Sequence, residues 1–278
     1  MVARLRGILH QRKIGHTGTL DPEATGVLPV VVGNATKLVE LLTDKQKEYV
    51  AELTLGLTSD TEDIWGEILS ENEVRCSEKE VEEAVKSFMG DILQIPPMYS
   101  AIKVEGKKLY ELARAGITVE RKARPVTIYE IEIIKMDLPK LEIRVLCSKG
   151  TYIRTLCRDI GEKLGCGALM SSLKRTMSGQ FTLENALTLN EVEECVKAGK
   201  LSDVIIPTDT VFKEYAGAML TGELLRRAKN GNSLEANEIK NMISEGDKKR
   251  LRLYDENNNF FALFYLKDKE YRVDKMFL

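Results

Sequence analysis

Asp21 is the carboxylate in this sequence whose neighbours best suit it to chemistry. It lies in the middle of Gly15 to Pro29, GHTGTLDPEATGVLP, fifteen residues holding three glycines and two prolines. Such a run keeps the backbone out of a long helix and out of a central strand, and leaves a stiff loop. Pro22 biases Asp21 towards an extended or turn geometry. His16, Thr17, Thr19 and Thr25 add short polar groups able to bond backbone or ligand. The apolar run Val27 to Val32 predicts a strand that anchors the loop, a setting in which functional carboxylates occur. The same composition also builds ordinary turns, so the loop alone leaves both readings open. It is no Walker-type phosphate loop, because no Gly-Lys-Ser/Thr closes it, and no GxGxxG is present. His16, Asp21 and Glu23 have ligand chemistry, but His10 is the only other histidine, a thin basis for a metal site.

The elements that must hold this loop follow from periodicity. Val2, Leu5, Ile8 and Leu9 predict an amphipathic helix with Arg4, Arg6, Arg12 and Lys13 on its other face. Thr36 to Leu42 reads as a short helix, and KEYVAELTL, Lys47 to Leu55, alternates as a half-buried strand carrying Tyr49. GLTSDTEDIWGEI is a turn followed by a return strand. Ser77 and Glu80 form a capping box ahead of a helix with Val81, Ala84, Val85 and Phe88 inward. Gln94 to Gly116, QIPPMYSAIKVEGKKLYELARAG, breaks the pattern and reads as an excursion from the core. Between Lys103 and Arg124 there are seven Lys or Arg against three Asp or Glu, with Tyr110 among them. That mixture suits a nucleic-acid surface, and equally a solvated helix face.

Arg124 to Lys135 and Leu141 to Cys147 predict an antiparallel strand pair. In GTYIRTLCRDIGEKLG, Thr151 is a candidate cap for a helix with Ile153, Leu156, Cys157, Ile160 and Leu164 inward and Gly165 at its end. Arg154 then sits in the first turn, where the helix dipole disfavours a cation, so an anionic partner is the better explanation. Ala168 to Phe181 is strand-like and carries Leu173, Lys174 and Arg175. After a helix near Asn190 to Ala198 the texture changes at Thr208. A short basic helix and three strands around the Asp255 to Asn259 turn predict a small β module.

Composition bounds the class. The chain has 278 residues, 43% hydrophobic and 30% charged, with net charge −2, so polyanion binding would need local patches. No apolar run reaches the length of a membrane span and no signal-peptide core opens the chain, which predicts a cytoplasmic protein. The five cysteines are odd in number and never spaced CxxC, which predicts reduced, buried thiols.

Together these motifs resemble the TruB-type tRNA pseudouridine synthases, over nearly the whole chain. GHTGTLDPEATGVLP is similar to the family's catalytic loop, KEYVAELTLG to its second motif, GTYIRTLCRDIGEKLG to its third, and QIPPMYSAIKVEGKKLYELARAG to its RNA-gripping thumb. The resemblance implies an α+β pseudouridine-synthase fold with a mainly antiparallel central sheet flanked by helices, followed by a PUA-like β-barrel. It implies a catalytic domain over 1–207, with the thumb near 94–124, and an RNA-binding domain over 208–278. It further implies Asp21 as nucleophile and Arg154 as its ion-pair partner. Tyr49 would stack on the target uracil, Tyr152 contact it, Leu173 wall the pocket and His16 hold the RNA loop open. The implied reaction converts uridine 55 of the TΨC loop, with the tRNA T-arm as partner, a monomeric enzyme, and no cofactor, metal or obligate protein partner.

Family members usually begin with a strand carrying a Lys-Pro pair and a Thr-Ser turn. Here Met1 directly precedes VARLRGIL, so the expectation is a chain lacking that strand, through a truncation or a misplaced start, with a sheet edge exposed near the active loop. Two rival readings remain. One is a non-catalytic RNA-binding protein of this fold, which predicts loss of the Asp or its Arg. The other is a metal-dependent phosphotransferase using Asp21, Asp60 and Asp63.

Overall fold

The alternating segment KEYVAELTL forms the central strand Lys47–Leu55 of the computed structural model, which describes residues 1–278. It lies between Ala168–Ser178 and Lys140–Cys147, antiparallel to both. Outward from the latter come Arg124–Asp137 and Gly90–Gln94, and outward from the former Phe181–Thr182. All of these neighbours pair antiparallel. The expected strand pair from Arg124 is present, turning at Asp137 and Lys140. The fold is α+β with a mainly antiparallel central sheet.

Alternation gives this sheet one apolar face. Tyr49, Ala51, Leu53 and Leu55 share it with Leu141, Ile143, Val145 and Cys147, and all are buried. Two helices cover that face. Glu78–Lys86 contributes Val81 and Val85, and Ile153–Lys163 contributes Ile153, Leu156, Cys157 and Ile160. The first begins at the expected capping box: Glu80 N–H donates to Ser77 Oγ over 3.3 Å, and Ser77 N–H donates to the Glu80 carboxylate over 2.7 Å. At the second, Tyr152 is the N-cap residue, not Thr151. The Thr151 hydroxyl instead donates to the Ser148 carbonyl, 3.0 Å away, closing the preceding turn.

These elements belong to one of two compact units, Gly18–Pro29 with Leu42–Ala186. The basic excursion is part of it. It folds as the hairpin Lys103–Val104 and Lys107–Lys108, then the helix Leu109–Arg114. Leu109 and Leu112 are buried, while Lys108 and Arg114 lie 5.3 and 5.5 Å from the centre of the Tyr110 ring. The segment therefore has its own apolar anchor as well as a cationic, aromatic face.

The second unit comprises Met1–Thr17, Val30–Leu41 and Leu187–Leu278. Its helix Val2–Leu9 packs against Leu189–Lys197, with Arg4 3.6 Å from Glu193. Ile14–His16 pairs antiparallel with Val30–Val32. The PUA-like part is a five-stranded sheet ordered Tyr215–Met219, Asp247–Tyr254, Phe260–Lys267, Glu270–Met276 and Leu234–Glu235, parallel at its first pair and antiparallel elsewhere. Ala216, Ala218, Leu251, Leu253, Ala262 and Phe264 form its core, against Ala228 of the basic helix Gly222–Lys229. Lys37 donates to the Met276 carbonyl over 2.6 Å, and Asn34 to that of Phe277 over 3.1 Å. All five cysteines are free; Cys147, Cys157 and Cys166 are buried, Cys76 and Cys195 partly exposed.

Ile143 has no exposed surface and sits in a central strand of the sheet, in the core shared with the two helices. Ile143→Ala should lower unfolding free energy by about 2–5 kcal/mol, read as a drop in urea midpoint at unchanged slope.

Candidate active site

The site begins at the sheet edge, where the glycine-rich loop is sewn to Ala168–Ser178. Thr25–Gly26 runs parallel to Lys174 and Arg175, and the Val27 N–H donates to the Arg175 carbonyl over 2.8 Å. The loop thus joins the central sheet, contrary to the expectation from its glycines and prolines. Gly26 makes that possible: its φ is +106°, and a Cβ there would stand 2.1 Å from the Arg175 oxygen. Within the loop Ala24 N–H donates to the Asp21 carbonyl over 3.0 Å, closing a tight turn at the carboxylate.

Arg154 meets that carboxylate from the other side. It lies in the first turn of Ile153–Lys163, directly after Tyr152, whose backbone is fixed by the buried Gln94. Gln94 Oε1 accepts from Tyr152 N–H over 3.0 Å, and Gln94 Nε2 donates to the Tyr152 carbonyl over 3.2 Å. The Arg154 fork is bidentate on Asp21, with Nε to Oδ2 at 3.0 Å and Nη2 to Oδ1 at 3.1 Å. Its remaining donors reach the Thr61 carbonyl at 3.1 Å and the Tyr99 carbonyl at 2.9 Å, and Nη1 lies 3.6 Å from Asp63 Oδ2. The Arg154 side chain is 7% exposed and that of Asp21 38%. The cation is enclosed, and the anion it holds still faces outward.

Asp63 is itself committed, accepting from Thr61 Oγ1 at 2.7 Å and from Trp65 N–H at 3.1 Å. Asp60 accepts from Glu67 N–H at 2.8 Å and from the Tyr99 hydroxyl at 3.4 Å. The hairpin of Leu57–Ser59 with Ile68–Glu71, whose loop carries both, is tied to the Arg154 helix through Glu62, which accepts from Thr155 Oγ1 over 2.7 Å and pairs with Arg158. Burial raises the Glu62 carboxyl above its ordinary value, opposed by Arg158 and Thr155.

Tyr49 and Leu173 come from the sheet beside the loop. The register sets Tyr49 opposite Arg175 and Ala51 opposite Leu173, so these four share one face. Tyr49 is 8% exposed; burial pushes its phenol up to about 12, Arg175 opposes this, and the Asp21 charge adds a smaller push upward. Asp21, Arg154, Tyr49, Leu173 and Tyr152 all belong to this unit. His16 belongs to the other, ending the strand Ile14–His16 with a buried Nδ1 that has no hydrogen-bond partner. Sequence reasoning gave no site role to Gln94, Tyr99 or Arg175, and saw Asp63 only as a possible metal ligand. No three His, Cys, Asp or Glu side chains converge in a metal-binding arrangement.

Residues 6–153 match the family model for the TruB family pseudouridylate synthase N-terminal domain. Residues 154–213 match that for the tRNA pseudouridylate synthase B C-terminal domain. The tRNA pseudouridine synthase B of Alkaliphilus oremlandii (strain OhILAs) is 50% identical over 245 residues, 88% of this chain and 81% of that protein. That of Clostridium novyi (strain NT) is 45% identical over 279 residues, 100% and 94% of the two. Among solved structures, a chain of a Cbf5-Nop10-Gar1 complex superposes with TM-score 0.73 at 28% identity, covering all of this chain and 80% of its own. A chain of an H/ACA RNP bound to a substrate RNA containing 2'-deoxyuridine gives 0.72 at 25%, with the same coverage. The fold is that of a pseudouridine synthase. The chain belongs to the TruB family of these enzymes.

Because the folded state holds the Tyr49 proton to about 12, against an ordinary value of 10.0, its contribution to stability is complete below pH 10 and is lost as pH rises towards 12. Urea unfolding of wild type and Tyr49→Phe at pH 8 and pH 11 should show the wild-type advantage shrinking by on the order of 1 kcal/mol at the higher pH.

Proposed function

We propose that this chain isomerises uridine to pseudouridine at position 55 in the TΨC loop of tRNA, with Asp21 as nucleophile. The observation that carries the reading is the Asp21 carboxylate held bidentate by an enclosed Arg154 while its own side chain stays 38% exposed. Such an anion is oriented, charged and reachable, as a nucleophile has to be. The target base is flipped out of the RNA loop into the space before Asp21, at a cost of a few kcal/mol that stacking on Tyr49 offsets. Asp21 attacks ribose C1′ or uracil C6. The glycosidic bond breaks, the uracil turns, C5 bonds to C1′, the C5 proton is lost to solvent, and the covalent bond to Asp21 breaks to return the free carboxylate.

Tyr152 contacts the uracil and Leu173 closes the apolar side of the pocket, keeping water from the intermediate. His16 holds the RNA loop open by stacking. The cationic face around Lys108, Tyr110 and Arg114 grips the T-arm, as does the sheet after Thr208, so the chain divides into a catalytic part, 1–207, and an RNA-binding part, 208–278. The enzyme works in the cytoplasm as a monomer on tRNA, without cofactor or metal. The curated relatives named tRNA pseudouridine synthase B support the RNA class, and the intact Asp21–Arg154 pair favours catalysis over the rival reading of a non-catalytic RNA-binding protein of the same fold. In the phosphotransferase reading Asp60 and Asp63 would be free to bind metal; both are engaged by protein donors.

An unmodified tRNA transcript incubated with the enzyme, then mapped for pseudouridine, should acquire one modified site, in the T-loop, with or without EDTA. Asp21→Asn should lose at least about four orders of magnitude in rate while still binding the transcript. A variant that kept its rate, or a site outside the T-loop, would refute the proposal.

A further inference from the structure

Arg175 is the largest of the fully buried side chains, 1% exposed, and no carboxylate lies within ion-pair distance of it. Beyond a hydrogen bond with the Tyr49 side chain, its bonds go to main-chain carbonyls of the catalytic loop. Nε donates to Val27 O over 2.6 Å, and Nη2 to Gly18 O over 3.3 Å. Those two carbonyls bracket Asp21, three residues before it and six after it. The Arg175 main chain adds a third tie by accepting the Val27 N–H, and Gly26 lies against that main chain so closely that no side chain fits.

A buried cation without an anion is costly, so an arginine here calls for a reason. What an arginine supplies there is geometry, because its planar fork fixes two acceptors relative to one another. Arg175 also stands opposite Tyr49 in the sheet register. One rigid group thus sets the distance between the Asp21 loop and the Tyr49 ring.

We propose that Arg175 is the positioning residue of the reaction: it holds the backbone of the Asp21 loop at the attacking distance, while Arg154 orients the carboxylate. This rests on Asp21 as nucleophile, which Asp21→Asn tests separately. Lys47, another buried cation near Gly18, cannot substitute, since its Nζ is spent on the carbonyls of Thr43 and Lys45, 3.1 and 3.0 Å away.

Two variants separate positioning from general stability. Arg175→Lys keeps the charge but cannot span both carbonyls; Arg175→Met keeps the bulk and removes every donor. The measurements are the single-turnover rate of tritium release from 5-tritiated uridine in a T-arm transcript at saturating enzyme, the transcript Kd, and amide hydrogen exchange over 18–27. A displacement of an ångström or so costs on the order of 100-fold in rate. Arg175→Met should lose at least that, and Arg175→Lys about 10-fold or more. Kd should stay within about threefold, and loop amides should exchange faster while those of Lys47–Leu55 do not change. If Arg175→Met does not fold, Arg175→Lys alone decides. A folded variant within about threefold of the wild-type rate, or a loss expressed only in Kd, overturns the proposal even if Asp21→Asn is inactive.

Discussion

A guanidinium taken out of water needs acceptors for its donors, and Arg154 finds them on three separate stretches of chain. Asp21 comes from the glycine-rich loop, Asp63 and the Thr61 carbonyl from the hairpin after the central strand, and the Tyr99 carbonyl from the segment after the double proline. The arginine itself is delivered by the helix that covers the sheet. Loss of one partner strands charge in a low-dielectric interior, which is far worse than losing an ordinary surface pair. Loop, hairpin and the Tyr99 segment are therefore coupled through one side chain. The sheet matters to the site chiefly as the surface that brings those stretches within reach.

That dependence explains what could be read from the residues beforehand. Alternation and helical spacing depend on which side of an element faces apolar neighbours, so Lys47–Leu55, Glu78–Lys86, Ile153–Lys163 and the C-terminal strands stood out in the sequence. An arginine in a first helical turn signalled an anionic partner, and Asp21 is the partner found. The resemblance to a family then turned separate motifs into one site.

What escaped sequence reading has a common cause. Gln94 holds Tyr152 through main-chain atoms, Arg175 holds the loop through two carbonyls, and Tyr99 offers a carbonyl of its own. A carbonyl acceptor is present at every residue, so such bonds leave no mark in residue type or spacing. Arg175 looked like half of a basic pair on a strand. The Thr25–Gly26 pairing was missed because proline and glycine argue against strands in general, whereas here one glycine admits a close backbone approach.

The two arginines differ in the freedom they leave. Arg154 grips Asp21 only at its carboxylate, and its own fork is pinned by the carbonyls of Thr61 and Tyr99. Arg175 binds main chain at both ends of the loop, and movement there would require breaking the sheet pairing at Gly26. In the proposed reaction the carboxylate must turn slightly towards the substrate carbon without the loop retreating. A partner that grips only the carboxylate and another that grips only the loop backbone satisfy both demands. The glycines then serve less to loosen the loop than to let it approach a buried arginine closely enough to be fixed.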